Sequence, residues 1–163
     1  MAYSILGPTI VPQAIADTST TLKLPLGSIV RAVDPTYGVG EFIYLQGIGS
    51  TVVGSIVNYD AAWVTALHTS ALDKPRPLAV AMSANVANQY GWYQISGQAV
   101  VSKSAGLSLA AGDAIGATSG AAVVVATGSI LNGMCVAAVA SAATGVTTVR
   151  VMIQRPHDTS DVS

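Results

Sequence analysis

Apolar residues along this chain come in short bursts, and glycine-bearing polar segments separate them. The bursts are "SIVRAV" (28–33), "EFIYLQG" (41–47), "SIVNY" (55–59), "WVTAL" (63–67), "LAVAMS" (78–83), "GWYQISGQAVV" (91–101), "DAIGAT" (113–118), "AAVVVAT" (121–127), "MCVAAVA" (134–140) and "TTVRVMIQ" (147–154). Most have the length of an ordinary strand. Between them stand turn segments such as "DPTYGVG", "GIGSTVVG", "AAGD", "TSG" and "ATG". Many short strands at near-regular spacing with glycine turns predict an all-β sandwich or barrel with little helix. One segment is open between helix and strand. In "AAWVTALHTSAL" (61–72), Trp63, Ala66, Leu67 and Ser70 share a helical face, yet the run also suits a strand. Ser83 is also a suitable N-cap for a helical turn over 83–88.

The first 24 residues, "MAYSILGPTIVPQAIADTSTTLKL", differ from the rest. Pro8 and Pro12 block both a continuous helix and a central strand, so the segment reads as an extended arm. Its apolar residues Ile5, Leu6, Ile10 and Val11 need a partner surface. Another chain can supply it, or the arm can fold back as an edge strand on its own domain. Residues 25–155 form the β-rich domain, and the polar 156–163 reads as a flexible C-terminal tail.

Composition is informative by what it lacks. Of 163 residues, 51% are hydrophobic and only 9% charged, against ~25% charged in ordinary domains. So few charges cannot cover a monomer of this size, which leaves a membrane protein or one that hides surface in assembly. No uninterrupted apolar run reaches the ~20 residues of a membrane span. The best candidate, Gly120–Ala140, is broken by glycines, Ser129 and Asn132. No secretory signal is visible at the N-terminus. A net charge of −1 with seven scattered basic residues offers no basic stripe for nucleic acid. The single Cys135 lies in an apolar run and reads as a buried, inert thiol with no disulfide partner in the chain.

Candidate chemistry is sparse. His68 with Asp60 or Asp73 lacks a nucleophile elbow, His157 falls in the polar tail, and Cys135 sits where a thiolate is disfavoured. No His or Cys pair stands at metal-ligand spacing, and Asp34, Glu41 and Asp60 lack the calcium-loop pattern. "DPTYGVGE" reads as a turn, and "GIGSTVVG" lacks the lysine of a phosphate loop. No catalytic residue, metal or cofactor is expected.

The aromatic strand "NQYGWYQISGQAVV" (88–101) is more informative. By alternation, Tyr93, Ile95, Gly97, Ala99 and Val101 share one face. Trp92, Gln94, Ser96, Gln98 and Val100 share the other. The first suits a core. The second is polar and uncharged, as interface centres tend to be. Tyr90, Trp92, Gln94 and Gln98 are therefore candidate contact residues. Three alternatives stand for Trp92: a protein interface, a platform for a sugar ring, or a sheet residue covered by a loop or the arm.

The runs "SIVRAVDPTYGVGEFIYLQGIGSTVVGSIVNYD" and "PLAVAMSANVANQYGWYQISGQAVV", with the turn-rich C-terminal half, resemble the capsid decoration (cement) proteins of tailed bacteriophages over about residues 26 to 153. The resemblance implies a compact, β-tulip-like knob without enzymatic activity. It implies a homotrimer on the outer surface of the virion capsid, clamping neighbouring major capsid protein subunits, with the N-terminal segment extended towards the shell. The residues leave another class open: a carbohydrate-binding β-module or head-fibre adhesin that uses Trp92, Tyr90 and Gln94.

Overall fold

The computed structural model describes residues 4–6, 12–69, 76–84, 87–124, 130–138 and 142–158. Each of the apolar bursts overlaps a strand, because β-branched and aromatic residues pack well on a pleated surface. The twelve strands among the described residues are β1 (Ser4–Leu6), β2 (Thr18–Ser19), β3 (Ile29–Asp34), β4 (Gly38–Gln46), β5 (Ile56–Tyr59), β6 (Thr65–Leu67), β7 (Leu78–Ala81), β8 (Tyr90–Ser102), β9 (Ile115–Thr118), β10 (Ala121–Val124), β11 (Leu131–Val136) and β12 (Thr148–Asp158). The described residues contain no helix, so the fold is all-β.

The main sheet is antiparallel and runs β1-β3-β4-β8-β7-β5-β6. The long β8 is its hub. The first half of β8 pairs with β4, β7 and β2, and the second half pairs with β12, which carries β11. β9 and β10 form a separate hairpin. Three buried clusters fill the interior. Ile43, Leu45, Val57, Ala79, Ala81, Tyr93 and Ile95 make one. Phe42, Tyr44, Met82 and Trp92, with Ala32 and Ile15, make the second. The largest gathers Ile56, Leu78, Val80, Ala99 and Val101 with the β9–β12 residues.

Alternation along β8 is broken once, and this corrects the expected face from Tyr93 to Val101. Tyr93 and Ile95 belong to one cluster, Ala99 and Val101 to another. The register against β4 shifts between Glu41 and Phe42, which lie opposite Ser96 and Gln94. A bulge re-aims the strand there. Gly97 makes it possible: its φ is +97°, and a Cβ there would stand 2.5 Å from the Val39 carbonyl oxygen.

Other local expectations fare variously. The 34–41 segment holds the turn between β3 and β4, at 35–37, with Asp34 Oδ1 accepting from the Thr36 and Tyr37 amides at 2.7 and 3.0 Å. The 61–72 segment is no helix where described. A turn at 61–62 leads through Trp63, at φ +63°, into β6. Its last residues, 70–72, lie outside the described residues. No helical turn forms in the described part of 83–88, where Asn88 takes φ +63°. Cys135 is exposed, contrary to expectation. It alternates in β11 with Met134 and Val136, which face the core, and it pairs with the outward Met152. The tail also starts later than expected. β12 runs to Asp158, and Asp158 itself is buried.

Candidate functional site

Trp92 answers to its own chain. Its ring is fully buried. Its Nε1–H donates to the Gln13 carbonyl at 3.1 Å, and its face meets Tyr44 at a centroid distance of 5.0 Å. Gln13 is the key to this cover. Its side-chain amide donates to the Tyr90 and Asp17 carbonyls, both at 2.9 Å, and its Oε1 accepts from the Tyr44 hydroxyl at 2.6 Å. Burial raises the Tyr44 pKa above its ordinary value, with the neighbouring Tyr90 adding to the rise and the Lys23 backbone opposing it. Beside Gln13, Ile15 is buried in the same cluster and β2 pairs with the start of β8. A single polar side chain thus locks residues 13–19 over the aromatic row, and no ligand or subunit can stack on Trp92 while that cover is in place.

The remaining candidates scatter. Tyr90 is half-buried and stacks near Tyr44 at 6.4 Å. Gln94 is fully buried, and its amide donates to the Ser96 and Gln98 carbonyls at 3.0 and 2.9 Å. That bridge spans the bulge, so the role of Gln94 is to shape β8. Gln98 is half-buried, opposite Met152 on β12. Ile5 is half-buried against the Trp92 cluster, and its strand pairs with β3, Ser4 opposite Val33 and Leu6 opposite Arg31. Of the two alternatives for the arm, its described part takes the fold-back. Ile10 and Val11 lie outside the described residues. The polar contact strip expected along Trp92, Gln94 and Gln98 is therefore not brought together on one open face.

Two features escaped the sequence. His68 is fully buried, with Nε2 at 4.0 Å from Asp158 Oδ2, beyond hydrogen-bond reach. Burial pushes its pKa below the ordinary value, and the Asp158 carboxylate opposes that shift more weakly. The partner is Asp158, far along the chain, and not Asp60; Asp73 lies outside the described residues. The second feature is a cleft. Tyr59 and Trp63 stack at 6.0 Å with 25° between their rings. With Asp60, Arg76 and Pro77 they line a cavity of about 560 Å³. Burial raises the Tyr59 pKa, and Arg155 opposes the rise. The sequence signal was there in "NYDAAW", an aromatic pair flanking an aspartate turn, but the Asp60 turn and the left-handed Trp63 that set the two rings together are not legible in it.

Among the described residues, no group of His, Cys, Asp or Glu is placed to hold a metal ion, and no helix is long and apolar enough to cross a membrane. Comparison with protein families, curated proteins and solved structures finds no match to the chain.

Proposed function

We propose that this chain is a non-enzymatic structural protein of a tailed-phage virion. It binds the outer surface of the assembled capsid as a homotrimer and stabilises the shell by clamping neighbouring major capsid protein subunits. The observation that carries the reading is a surface poor in charge and rich in large apolar side chains. Val52 and Val53 are 54% and 52% exposed at the tip of one loop. Ile29, Val39, Ile130 and Met152 are exposed on other parts of the molecule. Isolated apolar residues on a surface are ordinary. Here they coincide with a chain in which only 9% of residues are charged. Closed symmetry and a capsid platform each hide such surface.

The arm fits the same reading. β1 is a three-residue strand at the edge of the sheet. Pairing through the main chain tolerates many partner sequences, so a strand held this lightly can exchange onto a neighbouring edge. Light scattering of the purified full chain tests the assembly: a trimer mass is expected, and a monomer at all concentrations would overturn it.

A further inference from the structure

We propose that the cleft between Tyr59, Asp60, Trp63, Arg76 and Pro77 is a saccharide-binding site that takes a neutral pyranose ring. The proposal is independent of the capsid reading. The cavity volume, about 560 Å³, falls in the ~300–1,000 Å³ range of small-molecule clefts. A second cavity of about 290 Å³ shares Tyr59, Arg76 and Pro77 and extends to Arg155 and His157, which gives room for more than one sugar unit.

The aromatic wall is built to stay open. Trp63 is 37% exposed although it is one of only two tryptophans. Its backbone is held in the left-handed region at φ +63°, a conformation that costs a bulky residue energy. The turn compensates from both sides. Asp60 Oδ1 accepts from the Ala62 and Val64 amides at 2.9 and 3.1 Å. The Trp63 amide donates to the Asp60 carbonyl at 3.0 Å, and the Gln46 amide donates to the Trp63 carbonyl at 3.0 Å. Gly27 lies against the indole so closely that a Cβ there would stand 2.7 Å from Trp63 Cε2. Arg155, at φ +44°, is a second strained residue lining the adjoining cavity. Strain of this kind gathers at ligand sites.

The charges select the ligand class. Arg155 is paired with Glu41 at 2.9 Å. That leaves Arg76, which makes no ion pair among the described residues, and Asp60, whose Oδ1 is taken by the turn. One guanidinium and one carboxylate cancel, so neither an anion nor a cation is favoured. Both line the cavity, and together they offer a fork of donors and an acceptor to sugar hydroxyl groups. The apolar C–H face of a pyranose would lie against the exposed part of the Trp63 indole, which Gly27 backs and Tyr59 flanks.

The two indole N–H signals provide an internal control in an NMR titration of the full chain. Methyl glucoside, methyl galactoside, methyl mannoside and glucuronate serve as probes. At least one neutral glycoside should shift the Trp63 signal saturably, while the buried Trp92 signal stays still. By calorimetry, Trp63→Ala and Arg76→Ala should each weaken binding about tenfold or more, equivalent to ~1.4 kcal/mol, with the Arg76→Ala melting temperature unchanged. No saturable shift with any neutral glycoside, or a response to glucuronate alone, would overturn the proposal. So would full sugar affinity in Trp63→Ala. Loss of oligomer or capsid binding in Trp63→Ala without any sugar response would overturn it too and assign the cleft to a protein contact.

Discussion

Gln13 contributes more to this molecule than any feature of its local sequence suggests. It satisfies the Tyr44 hydroxyl and two carbonyls with its side chain, and Trp92 with its backbone. Gln13→Ala leaves those side-chain partners unsatisfied, so it should lower unfolding free energy by about 1–3 kcal/mol. Trp92→Ala should cost about 3–5 kcal/mol, the range for a buried large aromatic. Denaturant unfolding checks both, and a stable Trp92→Ala variant with lost oligomerisation would point back to an intersubunit role. His68 carries a pH signature. Its folded pKa lies below the ordinary value of 6.5, so the unfolded chain takes up a proton more readily than the folded one. Well above pH 6.5 both states hold neutral imidazole and the contribution is constant. Below it, stability falls as the pH drops towards the folded pKa. The melting temperature should decline over that window, and His68→Leu should flatten the decline. An unchanged slope in His68→Leu would place the titrating group elsewhere. At this scale the sequence reveals least. That Trp92 lies in a strand is legible, but its cover comes from a residue 79 positions away. The exposure of Cys135 follows from strand parity that its apolar run conceals.

At the scale of elements the sequence is far more readable. Glycine turns and β-branched bursts locate every strand from β3 to β12, because both signals are local. Register is not local. The bulge between Gln94 and Ser96 is followed by a close approach of Gly97 to Val39 and Gly40 from β4, and nothing in "QISGQ" announces which residue of a facing strand will stand there. β1 and β2 have too few residues to carry a pattern, so the sequence reads the arm as extended and leaves open whether it docks on its own domain or on another chain. The docking redefines what the arm can spare. Deleting residues 2–11 removes β1 and keeps Gln13, Ile15 and β2. This truncation should retain the melting temperature to within a few degrees and lose capsid binding. Deleting residues 2–20 uncovers Trp92 and should destabilise the domain markedly. Thermal melts with capsid cosedimentation distinguish the two. Full capsid binding by the shorter deletion would remove the arm from the clamp.

For the whole molecule, composition is the strongest statement. A chain with 9% charged residues folds into an all-β domain that keeps Val52, Val53 and other large apolar side chains in solvent. The sequence points to surface that needs covering, and the structure locates the exposed residues on the loops and outer sheet faces. Neither the strand pattern nor the core identifies the covering partner, since contact residues answer to a second surface and not to the fold. The proposed capsid attachment is tested by reconstruction of undecorated, expanded particles by cryo-electron microscopy after incubation with the purified full chain. Added three-lobed density is expected on the outer surface at three-fold positions, each lobe matching this β domain. Bare shells at saturating protein, or density only inside the shell or at the tail, would contradict it.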